Sequence, residues 1–311
     1  MYNPKSEFAH STVSSEPVIR LEKVCKQYGS LDVLTGLSLQ VNRGEVYGFL
    51  GRNGAGKSTA IRMMMGITKI SGGSIHLFGQ PISGNVIETR RRIGYVAQEQ
   101  HFYPWMSPIS LAKFVRGFYP RWDQARYEKL ASLFELPMKR KIGNFSGGMK
   151  AKLALTMALA TQPECLILDE PTAGMDPVAR REFLDLVSEE ARQVDATIFF
   201  STHLIDDIEA IADRIGIVES GKTVYEGALA PLSNSIATYS IDSALYQPGH
   251  LPGEFVEGTA RVLQDNARHG RRHLVLQFPS GVPKSPMLAP GWQQDAMTLE
   301  DVFIAVVAKS G

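Results

Sequence analysis

Residues 51–59 read "GRNGAGKST", which fits the spacing G-x-x-x-x-G-K-[ST]. The run follows an apolar stretch, "GEVYGFLG" at 44–51, and opens a helix-forming one, "AIRMMMGI". Between a strand and a helix, such glycines let the backbone approach an anion closely, and successive N–H groups point at phosphate oxygens. The N-terminus of the helix adds a favourable dipole. Lys57 is placed to reach the β- and γ-phosphates and Ser58 to hold Mg2+. Gly51, Asn53, Gly54, Ala55, Gly56, Lys57, Ser58 and Thr59 are therefore the candidate phosphate-binding residues.

Three further stretches carry polar groups at strand ends. "LILDEP" (166–171) is an apolar strand closing on two carboxylates. Asp169 suits a Mg2+ contact. Glu170 is placed to take a proton from an attacking water, a role worth about 10²–10⁴-fold in rate. His203 follows "ATIFFST" and Gln98 ends "RIGYVAQ". Polar residues past the ends of parallel strands lie on the ligand side of a sheet. Each taken alone is as ordinary as a structural strand-end residue. Tyr28, in "KQYGS", offers a ring to a base, or else is a plain turn residue before Gly29. Last, "NFSGGMKAKL" (144–153) places Ser146, Gly147 and Gly148 at a helix start. They supply a hydroxyl and N–H groups but no lysine placed as Lys57 is, which makes half of a phosphate site.

These residues need a scaffold. From about 18 to 228 strand and helix patterns alternate, the mark of an α/β domain. "VIRLEKVC" (18–25) alternates as a half-buried strand, whereas "GEVYGFLG", "CLILDE", "ATIFFST" and "RIGIVES" are continuous apolar runs. Such runs suit parallel strands covered on both faces. Residues 99–145 break the alternation with aromatics and helical spacing, so an α-helical insert is expected there. Beyond 229, "ATYSID" and "HLVLQF" predict short strands, and "TLEDVFIAVVAKS" a closing helix. In that helix Thr298 and Asp301 form a capping box, and Leu299, Val302, Phe303 and Val306 share one face. A small accessory domain over 229–311 and a flexible leader over 1–17 complete the expected organisation.

Composition narrows the classes. The chain has 311 residues, 44% hydrophobic and 21% charged, which suits a soluble globular protein. Lys plus Arg number 33 against 32 for Asp plus Glu, and this balance lacks the basic excess of a nucleic-acid binder. Two distant cysteines, Cys25 and Cys165, give neither a disulfide framework nor metal spacing. No run of eighteen apolar residues occurs, so the chain is not expected to span a membrane itself.

Taken together, Tyr28, the loop 51–59, Gln98, "FSGGM" (145–149), "LILDE" (166–170), "AGMD" (173–176) and His203 resemble, in order, the motifs of the ATP-binding cassette (ABC) ATPases. The resemblance covers about 18–228. It implies a phosphate-loop NTPase core of ABC type with an α-helical subdomain and an antiparallel β part, followed here by a small C-terminal α+β domain. It implies ATP as substrate and Mg2+ as cofactor, Ser58, Gln98 and Asp169 being the metal contacts. It further implies that Tyr28 stacks on adenine, Glu170 is the catalytic base, His203 contacts the γ-phosphate and Asp176 lies at a dimer seam. Ser146, Gly147 and Gly148 would close on ATP held by a second copy, two chains pairing head to tail. Met149 stands where the family's usual signature has Gln and offers no such polar contact.

An integral membrane permease would then be the other partner, with this chain peripheral on the cytoplasmic face of the cell membrane. The aromatics after Gln98, namely Phe102, Tyr103, Trp105, Phe114, Phe118 and Tyr119, are candidates to line the permease dock. Their other use is the core of the helical insert. "FYPRWD" and the closing "LEDVF" resemble the ATPase subunits of bacterial exporters for drugs, antibiotics or lipids. Two other classes stay open: a soluble ABC ATPase of DNA repair or translation, and an unrelated phosphate-loop enzyme such as a GTPase or kinase. The former usually carry long coiled coils, zinc cysteines or two cassettes, and the latter would show a guanine motif or lack "SGG".

Overall fold

The computed structural model describes residues 16–82, 87–193, 195–249, 251–253, 260–278, 282 and 288–308. The leader expected over 1–17 lies outside them except for its last two residues. A hairpin comes first among the described residues, β1 (Ile19–Tyr28) and β2 (Leu31–Val41), and β3 (Val46–Gly51) then runs into α1 (Lys57–Met64). β4 (Gly72–Leu77) and β5 (Gln80–Pro81) return to the hairpin, and α2 (Ile87–Arg91) precedes β6 (Ile93–Val96). Three helices follow, α3 (Pro108–Val115), α4 (Gln124–Leu133) and α5 (Gly147–Ala160). Alternation resumes with β7 (Cys165–Asp169), α6 (Pro177–Arg192), β8 (Thr197–Thr202), α7 (Ile205–Ile211), β9 (Arg214–Glu219) and β10 (Lys222–Ala228). The chain ends in α8 (Leu229–Ser233), β11 (Ile236–Asp242), β12 (Arg261–Arg268), β13 (Arg271–Gln277), β14 (Gln293–Asp295) and α9 (Leu299–Ala308).

The central sheet has the order β10-β9-β3-β8-β7-β6, parallel except for β10. Every residue of β3, β7 and β8 is buried, which is why these strands read as unbroken apolar runs. Their alternate side chains enter two different cores. Val46, Leu50, Leu166, Leu168, Ile198 and Phe200 pack with α5, α6 and α7. Tyr47, Phe49, Cys165, Ile167 and Phe199 pack with α1 and the antiparallel sheet β2-β1-β4-β5. Parallel register brings Val96 beside Leu168, Asp169 beside Ser201, and Leu50 beside Thr202. The loops after β3, β6, β7 and β8 therefore emerge at one edge.

The last four strands form an antiparallel sheet, β12-β13-β11-β14. One face makes its own small core from Ala237, Tyr239, Leu274, Leu276 and Phe278. The other face, with Ile236 and Val275, joins the larger core together with Leu299, Val302 and Ala305 of α9. That helix begins with the expected box: the Asp301 N–H donates to Thr298 Oγ1 at 3.2 Å, and the Thr298 N–H to Asp301 Oδ2 at 2.9 Å. It packs on α8 and β10. A chain ending near residue 229 loses this cover. It is expected to melt at a lower temperature than the full chain while keeping its nucleotide affinity, because every candidate site residue precedes that point. Thermal melting and nucleotide titration of the truncated chain check both halves, and lost affinity would make α9 part of the nucleotide-binding unit.

Candidate nucleotide site

The turn from β3 into α1 is possible because Gly54 and Gly56 take left-handed φ values of 84° and 100°. A Cβ at Gly56, the N-cap of α1, would also meet the Val33 carbonyl oxygen at 3.2 Å. A cleft of about 330 Å³ opens over this loop, with Asn53, Gly54, Gly56, Lys57, Ser58 and Thr59 on one side. Val33, Gln98 and Glu170 complete its lining. A second cleft, of about 500 Å³, flanks the loop at Arg52, Asn53, Gly54 and Ala55 and contains His203. Lys57 folds into the loop: its Nζ donates to the Gly51 carbonyl at 2.8 Å and the Arg52 carbonyl at 3.2 Å.

Four side chains expected to share a site do meet. Lys57 Nζ lies 3.1 Å from Glu170 Oε1, both residues being buried. Glu170 Oε2 lies 3.2 Å from His203 Nδ1 and accepts from Gln98 Nε2 at 3.4 Å. Both oxygens of Glu170 are thus engaged. Its backbone is left-handed at φ 44°, an uncommon state for a non-glycine residue that persists only when its surroundings impose it. Here the Glu170 N–H is held by Ser201, at 3.0 Å from Oγ and 3.2 Å from the carbonyl oxygen.

Asp169 faces the other way. Its Oδ1 accepts from Ser58 Oγ at 3.1 Å and from Ser201 Oγ at 2.8 Å. Burial pushes its carboxyl above the usual carboxylate range, and the Ser201 and Ser58 hydrogen bonds oppose that. Ser201 is the residue that sequence reading overlooked. It touches both carboxylate residues from the neighbouring strand, and its only signal was a hydroxyl at the end of an apolar run.

Other candidates stand apart within one chain. Ser146 caps α5 by accepting from the Met149 N–H at 3.2 Å, and it is exposed. Neither it nor Gly147 nor Gly148 lines the clefts beside the loop 51–59. Tyr28 is exposed at the end of β1, with the Lys26 ammonium 4.5 Å from its ring centre. Asp176 caps α6, accepting from the N–H groups of Val178 and Ala179 at 3.0 Å each.

The family described as "ABC transporter" matches residues 34–173. "Bacitracin transport ATP-binding protein BcrA" of Bacillus licheniformis is 37% identical over 213 residues, 67% of this chain and 69% of that protein. The chain belongs to the ABC transporter ATP-binding family. A second relative, "Nod factor export ATP-binding protein I" of Burkholderia thailandensis, is 38% identical over 225 residues, 70% of this chain and 73% of its own length. Among solved structures, an ATP-binding subunit of an ABC transporter superposes with a TM-score of 0.62 at 26% identity, covering 69% of this chain and 91% of that one. This ABC protein is an ATPase subunit of the transporter kind, and the soluble and GTPase alternatives lose their footing. Its described residues include no helix long and apolar enough to cross a membrane.

Proposed function

We propose that this ABC ATPase powers export through a separate membrane subunit, two copies closing head to tail on ATP. The observation that carries the reading is the convergence of Lys57, Gln98, Glu170 and His203 around the phosphate loop, while Ser146–Gly148 stays outside the cleft. In this reading the N–H groups of residues 53–59 and Lys57 bind the β- and γ-phosphates, and Tyr28 stacks on adenine. Glu170 leaves Lys57 as phosphate takes its place, then accepts a proton from water. His203 holds the γ-phosphate, and the partner's loop 146–148 covers it. A closure that needs the γ-phosphate ends when hydrolysis removes it.

Ser58, Asp169 and Gln98 offer a hydroxyl, a carboxylate and a carboxamide, the hard oxygen donors that Mg2+ takes. No group of three or more His, Cys, Asp or Glu able to hold a metal occurs among the described residues, so water and phosphate oxygens would complete its shell. Bound there, Mg2+ supplies charge neutralisation on the phosphate oxygens.

The membrane subunit is assigned to an aromatic patch beyond Gln98, on the cytoplasmic side. Tyr103, Trp105, Phe114 and Phe118 are each 47–65% exposed. Ring centres lie 5.2 Å apart for Tyr103–Trp105, 6.3 Å for Tyr103–Phe114 and 5.4 Å for Phe114–Phe118. Phe102, by contrast, packs against the larger core. Large contiguous apolar patches on a soluble surface mark interaction sites. Trp105→Ala or Phe114→Ala is expected to weaken co-purification with the membrane subunit while basal ATPase activity stays near that of the native chain. Equal co-purification together with a lower melting temperature would assign the rings to internal packing instead. The export direction is supported by the Nod factor relative's name and by the "FYPRWD" and "LEDVF" stretches.

A further inference from the structure

One buried carboxylate has no part in the reading above. Asp207 sits in the first turn of α7, four residues after His203, and is 1% exposed. Its Oδ2 accepts from Thr172 Oγ1 at 2.9 Å and from Thr202 Oγ1 at 2.9 Å. Its Oδ1 faces Arg180 Nε at 3.3 Å. Both threonine hydroxyls donate to it. That leaves the lone pairs of Thr202 Oγ1 for the Leu204 N–H, which it accepts at 3.0 Å. The turn carrying His203 is thereby closed from both sides.

Three functional segments end on this carboxylate. Thr172 follows Glu170 by two residues, in a tight turn where the Ala173 N–H donates to the Glu170 carbonyl and the Met175 N–H to the Thr172 carbonyl, each at 3.1 Å. Thr202 immediately precedes His203. Arg180 lies in the first turn of α6, its N–H bonded to the Asp176 carbonyl at 2.9 Å. We propose that Asp207, through Thr172 and Thr202, is a positioning residue that sets Glu170 against His203 and ties both to the turn at Asp176. The proposal rests on the reading of Glu170 as base and His203 as γ-phosphate contact.

The physical reason is the geometry that hydrolysis needs. Misplacing a reacting group by about 1 Å can cost about 10²-fold in rate. Glu170 and His203 come from loops on two neighbouring strands, which Ser201 and the direct Glu170–His203 contact also join near the site. Asp207 adds a further tie, because it accepts from a threonine on each of the two loops at 2.9 Å.

The test uses the full chain and follows ATPase kinetics well below each variant's melting temperature, with Glu170→Gln measured in parallel. Thr202→Val removes the donor to Asp207 and the acceptor of the Leu204 N–H at nearly constant shape, and Thr202→Ser keeps both. Thr202→Val is expected to lose about tenfold or more in kcat, toward the 10²-fold of a misplaced group. Its KM for ATP should hardly move, because the phosphate loop is untouched. Thr202→Ser should recover most of the lost kcat, and Thr172→Val should behave as Thr202→Val does. Native kcat in both valine variants, whatever their melting temperatures, would overturn the proposal and leave a merely structural tie. So would a serine variant as slow as the valine one. If Glu170→Gln is dead while Thr202→Val is normal, the positioning fails and the base survives. If Glu170→Gln turns over normally, the base reading fails and the positioning falls with it.

Discussion

Glu170→Gln is expected to bind ATP at least as tightly as the native chain and to lose about 10²–10⁴-fold in turnover, the usual worth of a general base. The amide keeps the shape and cannot take the proton. Its effect on the free protein follows from the pairing of Lys57 with Glu170 at 3.1 Å, both being almost fully buried. Removing one partner of a buried pair leaves the other charge uncompensated, which destabilises. The nucleotide-free variant should therefore melt below the native chain, and ATP should raise its melting temperature by more, because phosphate restores Lys57's partner. With no carboxylate competing for Lys57, affinity for ATP has no reason to fall. Turnover within a few-fold of native would remove Glu170 from the role of base. Weaker ATP binding would mean that Glu170 helps to hold the nucleotide rather than competing with it.

Mixing two dead variants is expected to restore activity. Lys57→Ala removes the buried ammonium that the phosphate loop holds by the Gly51 and Arg52 carbonyls, so that chain cannot hold ATP productively. Ser146→Arg places bulk and charge at the exposed cap of α5, so that chain cannot close on a partner's ATP. Each homodimer carries its lesion in both sites. In a mixed dimer one site combines an intact Lys57 with an intact Ser146, and the other collects both lesions. Partial recovery of ATPase activity on mixing is the expected result. Mixing Lys57→Ala with Glu170→Gln is the control: the loop 51–59 that still binds ATP then lacks its base, and little recovery should follow. If mixed dimers form and the mixture stays dead, one site alone does not fire or the sites are not shared. A Ser146→Arg homodimer with native ATPase activity would reduce "SGG" to a helix start.

Much of this protein is legible in its sequence, for a local reason. A phosphate loop is a contiguous device: its glycines, Lys57 and Ser58 act within nine residues, so their spacing shows in the sequence. The buried strands β3, β7 and β8 were equally legible, because covering both faces leaves no polar alternation. The Thr298–Asp301 box was visible because both partners lie within one helical turn. The sequence did not mark β10, β12 or β14, whose mixed and partly exposed patterns fit turns as well as strands. Nor did the apolar face of α9 say which core it covers.

Tertiary structure decided what lies across strands. Ser201 meets Asp169 and Glu170 because parallel register sets β8 beside β7, a pairing between segments more than thirty residues apart that no local pattern encodes. Asp207 is one of several acids in "LIDDIEA", and only the packing of α7 beneath Thr172 and Thr202 singles it out from Asp206. The sequence made Lys57 and Glu170 candidates for separate roles. Folding put their charges in contact, because both groups are buried, where a charge left without a partner is costly.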